Sequence, residues 1–118
     1  MRPKNFSTRY YSNKQEKSVA KAVGGRKTAN SGATPFIKGD VTTKSFLLEC
    51  KTHTEPKRSM TIKKEWIEKN KEEAFQMGKR YSAVVIDFGD GHNYYIVDER
   101  TFLEMKGALD EQHEDKDG

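Results

Sequence analysis

The run YSAVVIDF at residues 81–88 constrains the fold of this chain more than any other segment. Its apolar residues 83–86 are consecutive and do not alternate with polar ones, a pattern typical of a strand that is buried on both faces. A strand buried in this way occupies a central position in its sheet. The sequence therefore predicts a sheet built around residues 81–88.

The segment before this strand has a helical period. Between residues 59 and 79, apolar and small side chains recur at steps of three and four, and Lys and Glu occupy the positions between them. The predicted buried face consists of Ile62, Trp66, Asn70, Ala74 and Met77. Gly78 is the stop signal of this helix.

The other elements are predicted from turn residues and from shorter apolar patterns. They are a helix at 12–23, a short strand and loop at 26–40, a hairpin at 40–51, a strand at 93–99 and a short last helix at 99–109. The predicted order is α-β-β-β-α-β-β-α. That order indicates an α/β (α+β) fold, with a mixed sheet flanked by helices.

The length of 118 residues is that of one domain with a single modest core. Charged residues make up 34% of the chain and hydrophobic residues 33%, so part of the chain is expected to lie outside the core. We expect a flexible basic arm at residues 1–12, a folded domain at 13–106 and an acidic, disordered tail at 107–118.

The positive charge is concentrated at one end of the chain. Residues 1–39 carry nine Lys and Arg against one acid, Glu16. Residues 40–105 carry eleven basic and twelve acidic side chains, and residues 106–118 carry two and five. A basic first third beside a nearly balanced body favours a nucleic-acid partner over a basic tail that only aids solubility.

Compartment and cofactor class follow from what the sequence lacks. No run approaches the roughly 20 apolar residues of a membrane helix, and no signal peptide is visible. Cys50 is the single cysteine and excludes an internal disulfide. His53 and His92 are isolated, so no zinc site is expected. We expect a cytoplasmic protein without membrane contact.

The segment GDVTTKSFLLECK at residues 39–51 combines an apolar strand with charged residues. Because side chains alternate along a strand, one set is expected to lie toward the core and the other on the opposite face. The core-facing set is Phe46, Leu48 and Cys50, and the opposite set is Leu47, Glu49 and Lys51. In the predicted hairpin Asp40 falls near Glu49, so that two carboxylates and a lysine meet.

These residue types suit the hydrolysis of a phosphodiester bond. Asp40 and Glu49 supply hard oxygen ligands for Mg²⁺ or Mn²⁺, and the backbone carbonyl of Cys50 is a further candidate ligand. The metal would polarise the phosphate, and Lys51 would orient or deprotonate the attacking water or stabilise the transition state. The alternative is an ordinary cross-strand pair of Glu and Lys at a sheet surface.

Asp40, followed after nine residues by Glu49-Cys50-Lys51, resembles the motif of the PD-(D/E)xK nuclease superfamily. Gly39 stands where that motif has a proline, which is often missing in the superfamily. The resemblance covers residues 13–105. It implies a restriction-endonuclease-like αβββαβ core, a Mg²⁺-dependent nuclease domain, and catalytic roles for the aspartate, the glutamate and the lysine.

Within that superfamily the chain looks most like the small Holliday junction resolvases of archaea and phages. Glu16 stands on the first predicted helix, where those enzymes keep an acid that reaches the metal, and Ser31 in NSGA matches a loop hydroxyl. The segment at 73–88 resembles their helix-to-strand passage, and Gln76 is a candidate for joining the site. The resemblance implies a homodimer that nicks four-way DNA junctions in recombination or repair, in the host cytoplasm if phage-encoded.

Each of these residues also has a purely structural interpretation. Glu16 also fits the position of a first-turn acid favoured by the helix dipole, and Ser31 also fits a turn residue. Gln76 is equally part of a solvent-facing surface, and Trp66 with Ile62 fits a core or a dimer interface.

Basic residues outside the motif are expected to contact phosphates without reading base sequence. They are Arg2, Lys4, Arg9, Lys14, Lys17, Arg26 and Lys27, joined by Lys57 and Arg58 after the catalytic strand and by the hydroxyl of Ser31. The predicted partner is DNA, bound with strong salt dependence, and no small-molecule substrate is expected.

Three other functions remain compatible with the sequence. The chain could be a DNA- or RNA-binding module that kept the fold and lost catalysis, although Asp40, Glu49 and Lys51 are all present. It could be a nuclease of the same superfamily that cuts flaps, ends or duplexes. It could also be a small basic structural protein.

Overall fold

The structure is a computed structural model that describes residues 8–28 and 40–117. The predicted catalytic Ser31, and the predicted phosphate contacts Arg2 and Lys4, lie outside these residues. The elements follow the predicted order: α1 (Thr8–Val23), β1 (Arg26–Lys27), β2 (Asp40–Thr42), β3 (Phe46–Thr52), α2 (Lys64–Gln76), β4 (Tyr81–Asp87), β5 (Asn93–Ile96) and α3 (Glu99–Asp117).

The five strands form one mixed sheet in the order β1-β2-β3-β4-β5. Strands β3 and β4 are parallel, joined through α2, and every other neighbouring pair is antiparallel. Strand β4, the apolar run of the sequence, pairs along both edges and is buried from Ala83 to Asp87. The predicted mixed sheet with an internal apolar strand is therefore confirmed.

The helices cover the two faces of the sheet. Val19 of α1 packs into the main core with Val41, Leu48 and Val85. Phe46 and Cys50 pack against the same cluster, so the predicted inward set of β3 is confirmed. On the opposite face the backbone carbonyl of Leu47 accepts a hydrogen bond from Asn70 of α2 at 3.4 Å. The face that carries Glu49 and Lys51 is therefore the face beneath α2.

Two glycines allow close approaches that shape the ends of the sheet. At Gly25 a Cβ atom would lie 2.5 Å from the carbonyl oxygen of Thr42, so only glycine lets the chain leave α1 directly beside β2. Gly89 has φ +99°, and its Cβ would lie 2.4 Å from the carbonyl oxygen of Glu55. The predicted GDGH turn therefore packs tightly on the loop that follows β3.

The expected flexible arm at 1–12 is wrong for residues 8–12, because α1 begins at Thr8. Tyr11 and Ser12 are half-buried, and the rings of Tyr10 and Tyr11 meet edge to face with centroids 5.1 Å apart. The extra turn is thus partly buried, which the charge pattern does not reveal.

The disorder expected for the tail at 107–118 is contradicted over residues 107–117, since α3 continues to Asp117. The carboxylate of Asp98 accepts the Thr101 amide at 2.9 Å and starts the helix. Lys106 pairs with Asp110 one turn later, which supports an exposed helix. The boundary expected at residue 106 therefore falls inside a helix.

No helix among the residues that the structure describes is long and apolar enough to cross a membrane.

Candidate active site between strands β2 and β3

The register of the β2–β3 hairpin places Asp40 directly opposite Glu49. Side chains at opposite positions of an antiparallel pair lie on the same face, with Cβ atoms roughly 4.5–5.5 Å apart. Asp40 is 1% exposed, and Glu49 is half-buried. The sequence prediction that the two carboxylates meet at one end of the hairpin is confirmed.

Three of the carboxylate oxygens at this position have no hydrogen-bond partner among residues 8–28 and 40–117. They are Oδ1 and Oδ2 of Asp40 and Oε2 of Glu49, all of them buried. Buried polar atoms are nearly always hydrogen-bonded. Unpartnered buried oxygens therefore indicate a site that binds a proton, a water or a cation. An ordinary surface pair of Glu and Lys has no such oxygens.

The backbone of Asp40 is held firmly despite the unpartnered side chain. Its carbonyl oxygen accepts the amide of Thr28 at 2.8 Å and the Thr28 hydroxyl at 3.2 Å. Its own amide donates to the hydroxyl oxygen of Thr28 at 3.4 Å. Thr28 therefore fixes the backbone from which the aspartate carboxylate projects, and a rigid backbone is what a metal or catalytic site requires.

Burial and neighbouring carboxylates strongly favour the protonated form of Asp40. Loss of solvent is the largest cause, and the charges of Glu49, Glu73 and Glu16 add to it, raising the pKa of Asp40 to about 8. Lys51 acts in the opposite direction. The pKa of Glu49 is also raised, mainly by burial. A perturbed group of this kind at the end of a sheet is characteristic of a functional site.

Lys51 stands on the same face of β3 as Glu49, and its charge lowers the pKa of both carboxyl groups. Its ammonium lies 4.8 Å from the centre of the Trp66 ring, a cation–π contact that holds the flexible lysine. Trp66 is half-buried. Trp66, expected in the core or in a dimer interface, therefore also contacts the predicted catalytic lysine.

Helix α2 adds an acid that the sequence analysis missed. Glu73 is 6% exposed, and its charge raises the pKa of both Asp40 and Glu49. It lies seven residues after Trp66, which is two helical turns and the same face, so the period of the helix was the available signal. Gln76, the expected contribution of this helix, is exposed at its last position.

Helix α1 brings Glu16 to the other side of the site. Glu16 is 5% exposed, and burial raises its pKa, while Lys27 and Arg9 lower it. The Lys27 ammonium lies 3.7 Å from a Glu16 carboxylate oxygen. Glu16 interacts electrostatically with Asp40, so the prediction that this acid lies in the neighbourhood of the motif is supported.

A cleft of about 590 Å³ opens between the start of α1 and the end of β3. Arg9, Glu16, Lys27, Cys50 and Lys51 are among its lining residues. Positive side chains on its walls and a carboxylate at its side suit a phosphate that approaches together with a cation.

The position of α1 over the sheet is set by Gln15, which is buried. Its side-chain amide donates to the carbonyl oxygens of Lys51 at 3.1 Å and Val85 at 3.2 Å. These two carbonyls belong to the parallel strands β3 and β4. Gln15 therefore holds the helix that carries Glu16 against the strand that carries Glu49 and Lys51.

The donor set fits a hard divalent cation. The unpartnered oxygens of Asp40 and Glu49 supply the anionic ligands, and Mg²⁺ needs only one or two carboxylates because water and phosphate oxygens complete its shell. Burial raises the pKa of the Cys50 thiol, which keeps the sulfur neutral and leaves only its carbonyl as a ligand. Among the described residues, no three His, Cys, Asp or Glu side chains form a ready-made metal cage.

The described basic residues of the sequence prediction lie at the surface around this site. Arg9, Lys14 and Lys17 are exposed on α1, and Arg26 and Lys27 form the edge strand β1. The loop after β3 exposes two further positive side chains, Lys57 and Arg58. The backbone amide of Lys57 donates to the carbonyl of Phe88 at 2.8 Å, which connects this loop to the β4–β5 turn.

No family model, curated protein or solved structure matches this chain.

Proposed function

We propose that this protein is a metal-dependent endonuclease of the PD-(D/E)xK type that hydrolyses phosphodiester bonds in DNA. The observation that carries the proposal is the pair of Asp40 and Glu49, placed opposite each other with three buried oxygens that have no partner in the described part of the chain. A protein that used this fold only as a scaffold would gain stability by pairing or replacing such groups. Their retention beside Lys51 supports catalysis.

Asp40 and Glu49 would hold Mg²⁺, or Mn²⁺ in its place, together with the backbone carbonyl of Cys50. When bound, the metal supplies charge stabilisation at the phosphate and lowers the pKa of coordinated water. Glu16 lies close enough to interact with Asp40 and is the candidate for a further or water-mediated ligand. Glu73 is a second candidate of this kind.

Lys51 is the catalytic residue that would act on the attacking water or on the negative charge of the transition state. Its contact with the Trp66 ring restricts where the ammonium lies, and its position on the strand fixes its distance from Glu49. Arg9 and Lys27, on the wall of the adjoining cleft, would hold the phosphates beside the scissile one.

The substrate we propose is a branched DNA, a four-way junction above all, cut by a homodimer at two symmetric positions. The charge pattern supports a DNA partner, and the resemblance to the small resolvases supports the junction. Flaps or duplexes are the alternative substrates, because the choice between them depends on how two active sites are spaced and not on the motif.

The test is the cleavage of synthetic DNA by the full chain with Mg²⁺. A four-way junction, a flap and a linear duplex are incubated with the wild-type protein, with Glu49→Gln and with Glu68→Gln. Glu68 is an exposed acid of α2 and serves as the matched control. We expect paired symmetric nicks in the junction, lost with Glu49→Gln and retained with Glu68→Gln.

Two other results would change the conclusion. Cleavage of the flap or duplex alone, still lost with Glu49→Gln, would keep the active site and overturn the junction as substrate. Tight binding of the junction without cleavage under either Mg²⁺ or Mn²⁺ would overturn the enzyme and leave a DNA-binding module.

A further inference from the structure

An exposed tyrosine lies in the same row of the sheet as the predicted catalytic lysine. Lys51 of β3 pairs with Ile86 of β4, and Ile86 pairs with Tyr94 of β5. Paired residues of neighbouring strands have their side chains on the same face, so Tyr94 lies on the α2 face together with Lys51. Two strand spacings separate the Cα atoms of Lys51 and Tyr94, a distance of roughly 10 Å.

The ring of Tyr94 is oriented by a neighbouring ring and is still accessible. Its centroid lies 5.7 Å from that of Phe88, and the two rings meet edge to face at 70°. Phe88 directly follows β4, and aromatic pairs favour this geometry. Tyr94 nevertheless remains 52% exposed. The contact with Phe88 therefore restricts the ring without covering it.

The loop beside this aromatic pair is positively charged. Between β3 and α2 the chain carries Lys57, Arg58 and Lys63 against the single acid Glu55, and all four side chains are exposed. The backbone amide of Lys57 donates to the carbonyl of Phe88 at 2.8 Å. The segment with Lys57 and Arg58 therefore runs beside the aromatic pair.

An accessible aromatic ring next to positive side chains is the combination that binds single-stranded nucleic acid. The cations contact phosphates, and the ring stacks on a base of any identity because every base has a π face. In an intact duplex the neighbouring base pairs cover these faces. Only a base that is unpaired, or that lies at a break in the stack, is open to such a ring.

We propose that Tyr94 stacks on an unpaired base of the DNA beside the active site, and that this contact makes the protein bind branched DNA in preference to intact duplex. The inference rests on the proposed nuclease function and names the feature of the DNA that the site recognises. The separation of roughly 10 Å from Lys51 corresponds to about three nucleotide steps along one strand of B-DNA. A branch point or a flap supplies an open base at that distance, and a linear duplex does not.

The next residue of β5 is a matched control. Tyr95 is 42% exposed, and it pairs with Val85, which belongs to the core cluster on the α1 face. Because side chains alternate along a strand, Tyr95 lies on the opposite face of the sheet from Tyr94 and Lys51. The two tyrosines are adjacent and similarly exposed, so the face of the sheet is the main difference between them.

Fluorescence anisotropy of DNA with the full chain in EDTA measures binding without cleavage. The labelled probes are a single strand, a flap that contains this strand, and a linear duplex. The variants are Tyr94→Leu, Tyr95→Leu and Tyr94→Phe, the last of which keeps a ring that can stack. Circular dichroism establishes that all three variants keep the wild-type secondary structure.

We expect Tyr94→Leu to raise the dissociation constants of the single strand and the flap roughly 5- to 150-fold. The dissociation constant of the duplex should stay unchanged. Tyr94→Phe and Tyr95→Leu should bind all three probes as the wild type does.

Three results with a wild type that binds DNA would overturn the inference and leave the proposed nuclease function unaffected. They are unaltered binding by Tyr94→Leu, equal losses for single strand and duplex, and equal losses for Tyr94→Leu and Tyr95→Leu. A wild type that binds none of the probes at low salt would overturn the proposed function, and the inference with it.

Discussion

The ammonium of Lys51 lies 4.8 Å from the centre of the Trp66 ring, so the strand that carries the site and the helix above it meet at the predicted catalytic lysine. One helical turn after Trp66, the side chain of Asn70 in α2 donates a hydrogen bond of 3.4 Å to the backbone carbonyl of Leu47 in β3. Helix α2 therefore both shields one face of the sheet and sets the position of the lysine.

Lys51→Ala is expected to abolish cleavage while DNA binding persists. The ammonium is the only side-chain cation of β3 on the face of Glu49. Removing a group that stabilises charge in the transition state costs at least about 100-fold in rate. Single-turnover cleavage and equilibrium DNA binding measure the two effects separately.

The control for that experiment is Lys44→Ala, which removes an exposed lysine from the turn of the same hairpin. A variant at Lys51 that lost binding and cleavage to the same extent would show that this residue is a phosphate contact and not part of the chemistry.

Trp66→Leu is expected to slow cleavage moderately without weakening DNA binding. Leucine keeps an apolar side chain but removes the ring that holds the ammonium. A cation–π contact of about 0.5–2 kcal/mol corresponds to a fall in rate of roughly 2- to 30-fold. Trp66→Phe, which keeps an aromatic face, should retain most of the activity. An unaltered rate for Trp66→Leu would mean that Lys51 is positioned by other contacts.

The hairpin half of the site could be predicted from the sequence, because alternation along a strand fixes which residues share a face. Apolar Phe46 and Leu48 face the core, so Glu49 and Lys51 must face away from it, and the short turn fixes Asp40 opposite Glu49. These are local rules, and the structure obeys them.

The contribution of α2 could not be predicted in the same way. Whether Glu73 or Gln76 points toward β3 depends on how the helix rotates over the sheet, which is a matter of packing at long range. The helical period places Glu73 on the buried face with Asn70 and Ala74, but an acid on such a face does not reveal which strand it meets. The length of α3 was missed because acidic composition resembles disorder, although the Glu, Gln and Lys residues of this segment favour helix.

Arg58→Ala is expected to weaken DNA binding and to lower its salt dependence. Arg58 is exposed in the loop after β3, at the end of the sheet where the site lies. Each phosphate contact that is lost lowers the slope of log K against log salt by about one unit. Arg80 directly precedes β4, at the opposite end of the parallel strands β3 and β4. Arg80→Ala removes the same charge there and should leave the slope of log K against log salt unchanged. Equal effects of the two variants would indicate non-specific attraction of the whole protein.

Asp40→Asn is expected to make the metal-free protein more stable near neutral pH while it abolishes cleavage. The pKa of Asp40 is about 8 in the folded protein and 3.8 in its ordinary state. Because the folded pKa is the higher one, the stability that the protonated carboxyl contributes is complete below pH 3.8 and is lost progressively as the pH rises toward 8. At pH 7 the loss is on the order of 4 kcal/mol.

Asparagine cannot ionise, so the variant does not lose this stability as the pH rises. Urea unfolding with EDTA, measured between acidic pH and pH 8, should give a midpoint that falls with pH more steeply for the wild type than for Asp40→Asn. Burial also raises the pKa of Glu49, Glu16 and Glu73, so a weaker fall in the same direction should remain in the variant.

Adding Mg²⁺ at pH 8 should stabilise the wild type and leave the variant almost unchanged, because the cation takes the place of the proton on Asp40. A wild type that is as stable at pH 8 as at pH 5 without metal, and that gains nothing from Mg²⁺, would show that Asp40 ionises freely and that the unpartnered oxygens are not a metal site.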